Sequence, residues 1–116
     1  MASAQAKGWG VALPTPDRVR PMAATSHNTY FDGGVQSLGF EPEGPRATVG
    51  VIQPGTYEFD TAAPERMTVM AGSLDVRLSA EGNWSTHPKG TVFEVPGDSS
   101  FEVRADAPSA YLCEFL

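Results

Sequence analysis

From Tyr30 to the end of the chain, short apolar segments alternate with turn residues, and this punctuation restricts the fold more than any other feature. The breaks are "EPEGP" from Glu41, "PG" at Pro54, "AAP" at Ala62, "AG" at Ala71, "AEGN" at Ala80, "PKG" at Pro88 and "PGDS" at Pro96. A packed helix needs apolar residues at a 3.6 period over about ten or more positions, and no stretch between these breaks provides it. Period-two alternation instead predicts strands over Val35–Phe40, Ala47–Gln53, Thr56–Asp60, Arg66–Ala71, Leu74–Leu78, Thr91–Val95, Ser100–Arg104 and Ala110–Leu116. The 12 glycines and 10 prolines fall between such runs rather than in one block. Strands spaced at about ten residues imply an all-β fold, a closed barrel or a jelly roll, because both protect sheet edges. The last strand is apolar on both faces, so one end of the barrel is expected to be covered by a second copy in a homodimer.

At 116 residues the chain fits one core. Residues 1–28 show neither a helical nor a strand period and are read as an irregular extension; residues 29–116 form the domain. Lys7, Gly8, Gly10, Pro14 and Pro16 interrupt any apolar run that a secretory signal would need. No segment approaches the roughly 18 apolar residues of a membrane span. With a single cysteine, Cys113, no internal disulfide is possible, and a cytoplasmic location is expected. Cys113 lies in "YLCEF" and reads as a core residue. A formal charge of −6 argues against nucleic acid, whose phosphates demand clustered cations, and favours a small ligand.

The stretch "GTYEFDTAAPERMTVMAG" and the later "GTVFEVPGDSSFEV" resemble the two signatures of metal-binding cupins with most ligands replaced. Glu65 falls at the glutamate position. The histidine positions fall near Phe59, Thr61 and Phe101, and His27 and His87 have no partner at ligand spacing. One carboxylate among phenylalanines does not hold a transition metal, which needs three or more donors, so a metal-free cupin is expected. More specifically, "YFDGGVQSLGF", "RATVGVIQPGTYEF", "APERMTVMAGSLDV", "GTVFEVPGDSSF" and "YLCEFL" resemble, in order and spacing, the small cupin nucleoside phosphorylases of broad pyrimidine and purine specificity. The resemblance covers about three quarters of the chain and leaves the amino-terminal arm unmatched. It implies a compact dimeric cupin, without metal or cofactor, that cleaves purine and pyrimidine nucleosides with inorganic phosphate to a free base and α-D-ribose 1-phosphate.

Such a reaction passes through an oxocarbenium-like sugar and needs places for phosphate, ribose and base. A guanidinium is the best single phosphate ligand. If Glu65 points inward, alternation turns Arg66 outward; Arg77 and Arg104 oppose apolar neighbours, and Lys89 sits in a turn. Arg46 remains, opening "RATVGV" beside small residues, with Thr48 and Thr68 as further hydroxyl donors; a surface arginine at a strand start is the alternative. Glu65 is the candidate for the ribose, accepting hydroxyl protons and stabilising developing positive charge, against a purely structural glutamate. Aromatic faces stack on any base. Of those available, Tyr30 and Phe31 stand at the expected barrel entrance, Tyr57 is a further candidate, and Trp84 reads as packing at the barrel end. No histidine is placed to protonate the leaving base, which leaves water or phosphate for that step. Two other readings stay open: a metal-free cupin isomerase, epimerase or lyase using Glu65 and a tyrosine, and a non-enzymatic small-molecule-binding module.

Overall fold

The computed structural model describes residues 25–116 as two packed antiparallel sheets. In chain order the strands are β1 (Ser26–Tyr30), β2 (Val35–Phe40), β3 (Ala47–Ile52), β4 (Gly55–Thr61), β5 (Glu65–Ala71), β6 (Ser73–Arg77), β7 (Ser85–Pro88), β8 (Val92–Val95), β9 (Ser99–Ala105) and β10 (Ser109–Phe115). A six-stranded sheet runs β1-β2-β3-β10-β5-β8, and a four-stranded sheet runs β4-β9-β6-β7. All eight strands expected from the sequence are present within a residue or two. The hydrogen bonding does not close into a barrel, so the expected alternative of a jelly-roll sandwich is the one adopted.

Two strands escaped the period-two reading. β1 is "SHNTY" and β7 is "STHP", both polar, and each lies at the edge of its sheet. An edge strand packs little apolar surface, so its side chains need not alternate; polar edges also discourage sheet-to-sheet association. The expected boundary between residues 28 and 29 falls inside β1, which pairs with β2 along its whole length. The rest of the expected extension, residues 1–24, lies outside the described residues.

The core forms between the sheets. Val35, Ile52, Met67, Val69 and Val95 from the six-stranded sheet meet Leu74, Val103 and Phe101 from the other, all buried. Each such side chain contributes roughly 1.5–3 kcal/mol on burial. Strand β10 lies between β3 and β5, and its inward residues Tyr111 and Cys113 are buried while Ala110 and Leu112 face the other way. Its apolar character on both faces therefore belongs to a central strand, not to a barrel end.

Gly50 on β3 stands directly opposite Tyr111, and the tyrosine ring lies where a β-carbon would be. A close approach of this kind needs glycine. Gly50→Ala is expected to displace the Tyr111 ring and destabilise the domain by about 1–3 kcal/mol, measured by chemical denaturation.

Candidate functional site

The register of the six-stranded sheet sets side chains in rows across its inner face. One row is Ser26, Gly39, Thr48, Cys113, Met67 and Phe93, contributed by β1, β2, β3, β10, β5 and β8 in turn. The next row holds Arg46, Phe115, Glu65 and Val95: the Phe115 N–H donates to the Arg46 carbonyl at 2.9 Å, and Phe115 pairs with Glu65 and Glu65 with Val95. Arg46 precedes β3 by one residue and shares the parity of Thr48, so it belongs to the face that carries Glu65.

Between these rows and the facing sheet lies a cavity of about 510 Å³, within the usual range for small-molecule sites. Glu65, Thr48, Ser37, Tyr111 and Cys113 supply its polar lining on the six-stranded sheet, with Met67, Val35 and Phe115 as apolar floor. Tyr30 and Phe31 stand at the mouth, 48% and 50% exposed, and Phe59 with neighbouring Glu58 and Asp60 of edge strand β4 completes the opposite wall. Phe31 and Asp32 adopt φ of 55° and 54°, a left-handed conformation that is strained for residues with side chains. That short turn holds the Phe31 ring nearly parallel to Phe59, with an interplanar angle of 14° and centroids 6.3 Å apart.

Glu65 is only 9% exposed, and its Oε1 accepts a hydrogen bond from the Cys113 thiol at 3.3 Å. Burial raises its pKa above the ordinary carboxylate value, and the thiol bond partly offsets this. Burial, followed by neighbouring negative charge, pushes the Cys113 thiol and the Tyr111 phenol well up, so both remain protonated donors at neutral pH. The site thus offers one carboxylate acceptor, several hydroxyl and thiol groups and aromatic faces.

The sequence candidates fall into two groups. Glu65, Thr48, Tyr30 and Phe31 line the cavity. Arg46 does not: its Nη2 lies over Gly39 and donates to the Ser26 hydroxyl at 3.3 Å, and Nη1 is 3.7 Å from Glu41. The pair is 44% and 57% exposed, so it is worth little. Tyr57 is set aside from the cavity; its hydroxyl donates to the Gln53 carbonyl at 2.8 Å and its ring packs against Phe31. Thr68 alternates with buried Met67 and Val69 and faces away from the cavity, a correction that strand parity itself dictates. Trp84 does not cap an end: it covers the four-stranded sheet's outward arginines, with Arg104 and Arg77 at 4.2 and 4.9 Å from its ring.

Among the described residues the other arginines are engaged elsewhere. Arg66 pairs with Glu94 and Glu114, Arg77 with Glu102 and Arg104 with Asp75. At the positions matched to cupin histidines, Phe59 packs edge-on against Phe101 at 5.5 Å and the Thr61 hydroxyl donates to the Pro96 carbonyl. Among the described residues no three His, Cys, Asp or Glu side chains converge. Sequence reasoning missed Ser37, Tyr111 and Cys113 as site residues. The alternation of "YLCEF" places Tyr111, Cys113 and Phe115 on one face, but only the pairing of β10 shows that this face is the cavity's.

The sequence pattern that defines the family described as pyrimidine/purine nucleoside phosphorylase matches residues 25–115. A protein of that name from Sorangium cellulosum is 58% identical over 90 residues, spanning 78% of this chain and 97% of its own. Another from Anaeromyxobacter is 56% identical over 103 residues, spanning 86% and 98%. This chain belongs to the pyrimidine/purine nucleoside phosphorylase family. A crystal structure of a Vibrio parahaemolyticus protein of unknown function, 50% identical, superposes with a TM-score of 0.77 over 81% of this chain and all of its own. An RmlC-like cupin from Shewanella frigidimarina, 16% identical, gives 0.62 over 79% and 83%, and so identifies the fold as a cupin jelly roll.

Family membership directs attention to the buried carboxylate. Above its raised folded pKa, Glu65 is ionised in both states and burial penalises the folded one; below about 4.5, its ordinary value, it is protonated in both and the penalty is gone. Glu65→Gln is therefore expected to raise the melting temperature by roughly 2–5 °C at pH 7.5. Melting curves across pH should show that gain shrinking to nothing as pH falls through the folded pKa to about 4.5.

Proposed function

We propose that this chain catalyses the phosphorolysis of purine and pyrimidine nucleosides to the free base and α-D-ribose 1-phosphate, with Glu65 and Arg46 as its central residues. The observation that carries the reading is the row Arg46, Phe115, Glu65 on the inner face. It places the backbones of Arg46 and Glu65 two strand spacings apart, roughly 9–10 Å, on one inner face, with Phe115 of the cavity floor between them. Family membership supports the reaction class.

In this mechanism Glu65 accepts hydrogen bonds from the ribose hydroxyls, and its charge stabilises the oxocarbenium-like sugar as the bond to the base lengthens. Arg46 leaves its weak partner Glu41, turns over side-chain-free Gly39 toward the cavity and grips phosphate through its planar fork. Thr48, next to it on the inner face, adds a hydroxyl. A phosphate oxygen forms the new bond to the anomeric carbon while the carbon–nitrogen bond breaks and its electron pair leaves with the base. The proton that the base requires comes from phosphate or water. Tyr30 and Phe31 stack on the base, a contact that suits rings of either size; Tyr57 supports Phe31 from behind.

The proposal includes catalysis without metal or cofactor, for which the phenylalanines and threonine at the cupin ligand places are the support. It also places the enzyme in the cytoplasm, which suits the free thiol of Cys113. Purified protein incubated with uridine, inosine or adenosine is expected to release base only when phosphate is present, with chelator making no difference. Arg46→Ala should lower kcat/KM by about 100-fold or more, mainly through phosphate, and Glu65→Ala by at least as much. Base release that ignores phosphate would favour a lyase or hydrolase instead.

The same reading includes a homodimer, formed through the outer face of the six-stranded sheet. Leu38, Val49, Leu112, Thr68 and Val92 form an unbroken register row there, and Val51 and Met70 flank it. Leu38, Val51, Met70 and Val92 are each about half exposed, where an antiparallel sheet facing water is ordinarily polar. Arg66, Glu94 and Glu114 border the band with both signs of charge, as a two-fold contact between identical faces requires. Light scattering is expected to give a dimer, and Leu38→Glu with Val51→Glu a folded monomer; a monomeric parent protein would sink the assignment.

A further inference from the structure

We infer that Cys113 is a positioning residue for Glu65, its thiol holding the carboxylate in the orientation and charge state that receive the ribose. The inference rests on the phosphorolytic reading for its consequence, but not for its geometry.

Cys113 sits at the centre of β10, directly opposite Thr48 on β3 and Met67 on β5, with Glu65 one row away. Thr48 is the register partner of Cys113 on β3, and the thiol donates to Glu65 Oε1 at 3.3 Å. Cys113 is 4% exposed and Glu65 9%, so neither group exchanges this contact freely for water. Among the described residues the thiol is the only side chain that donates to the carboxylate. An apolar residue such as valine at this position would leave a buried carboxylate without a donor, which is costly.

Everything else that faces Glu65 leaves that work to the thiol. Tyr111 on β10 lies on the same inner face, with its ring over Gly50 of β3. Glu58 and Asp60 of β4 line the opposite wall and carry negative charge, and Tyr30 of β1 stands at the mouth. Arg46, ahead of β3, is turned toward Glu41 and Ser26; Arg66 pairs with Glu94 and with Glu114 on the outer face. On β8 the residue opposite Glu65 is Val95, which offers no polar group. The thiol is a donor and not a nucleophile here, because burial and adjacent carboxylates keep its proton in place.

The test compares Cys113→Ala, Cys113→Ser and the parent enzyme in the pH dependence of phosphorolysis. Cys113→Ala is expected to lose about tenfold in kcat/KM, the size of one weak hydrogen bond to a charged group, and its acidic limb should move up by about one pH unit. Cys113→Ser, which keeps a donor, should restore most of the rate and return the limb toward the parent position. A purely structural Cys113 would lower melting temperature and leave both limbs where they are, and that result overturns the inference. Carbon-13 NMR titration of the Glu65 carboxyl in the same three proteins gives a reading independent of turnover. If the parent protein shows no phosphorolysis, the functional reading fails, while a raised Glu65 titration in Cys113→Ala reversed in Cys113→Ser still upholds the thiol's role. An unchanged titration overturns it. Should Cys113→Ala not fold, Cys113→Ser against Cys113→Val supplies the same comparison.

Discussion

The placement of β10 between β3 and β5 is the constraint from which the site follows. It aligns Thr48, Cys113 and Met67 in one row and Arg46, Phe115 and Glu65 in the next. Side-chain direction in a strand has a period of two, so a slip of one residue would turn Tyr111, Cys113 and Phe115 outward and bring Ala110, Leu112 and Glu114 into the cavity. Buried Tyr111 and Cys113 oppose such a slip, because both would have to leave the core.

The cavity sets a carboxylate where burial penalises its charge, and the fold retains it with a single thiol donor. Natural sites commonly accept such a stability cost where an unscreened charge is needed. The contrast with the outward ion pairs is instructive. Arg66, Arg77 and Arg104 sit beside carboxylates on solvent-facing sides; Arg46 alone among the described arginines shares the inner face, and its partner Glu41 is exposed and 3.7 Å away.

Much of this was legible in the chain. Glycine and proline punctuation, with alternation between, marked eight of the ten strands, and the two it left unmarked are polar edges that bury little. Glu65 could be placed by its spacing from Gly72, and strand parity turned Met67 inward and Arg66 outward as found. The same parity, carried one residue further, excludes Thr68. Tyr57 needed more than parity, since its ring points inward yet its hydroxyl is taken up by the Gln53 carbonyl at the turn.

The sequence by itself determined an all-β jelly roll and a family, because alternation, turn residues and motif spacing are local properties of the chain. Only the tertiary structure decided that the sheets remain open, that Cys113 meets Glu65 across 48 residues, and that Arg46 stands at the rim rather than in the cavity. Those outcomes depend on which strands pair and in what register, and pairing is set by the burial of a whole face at once.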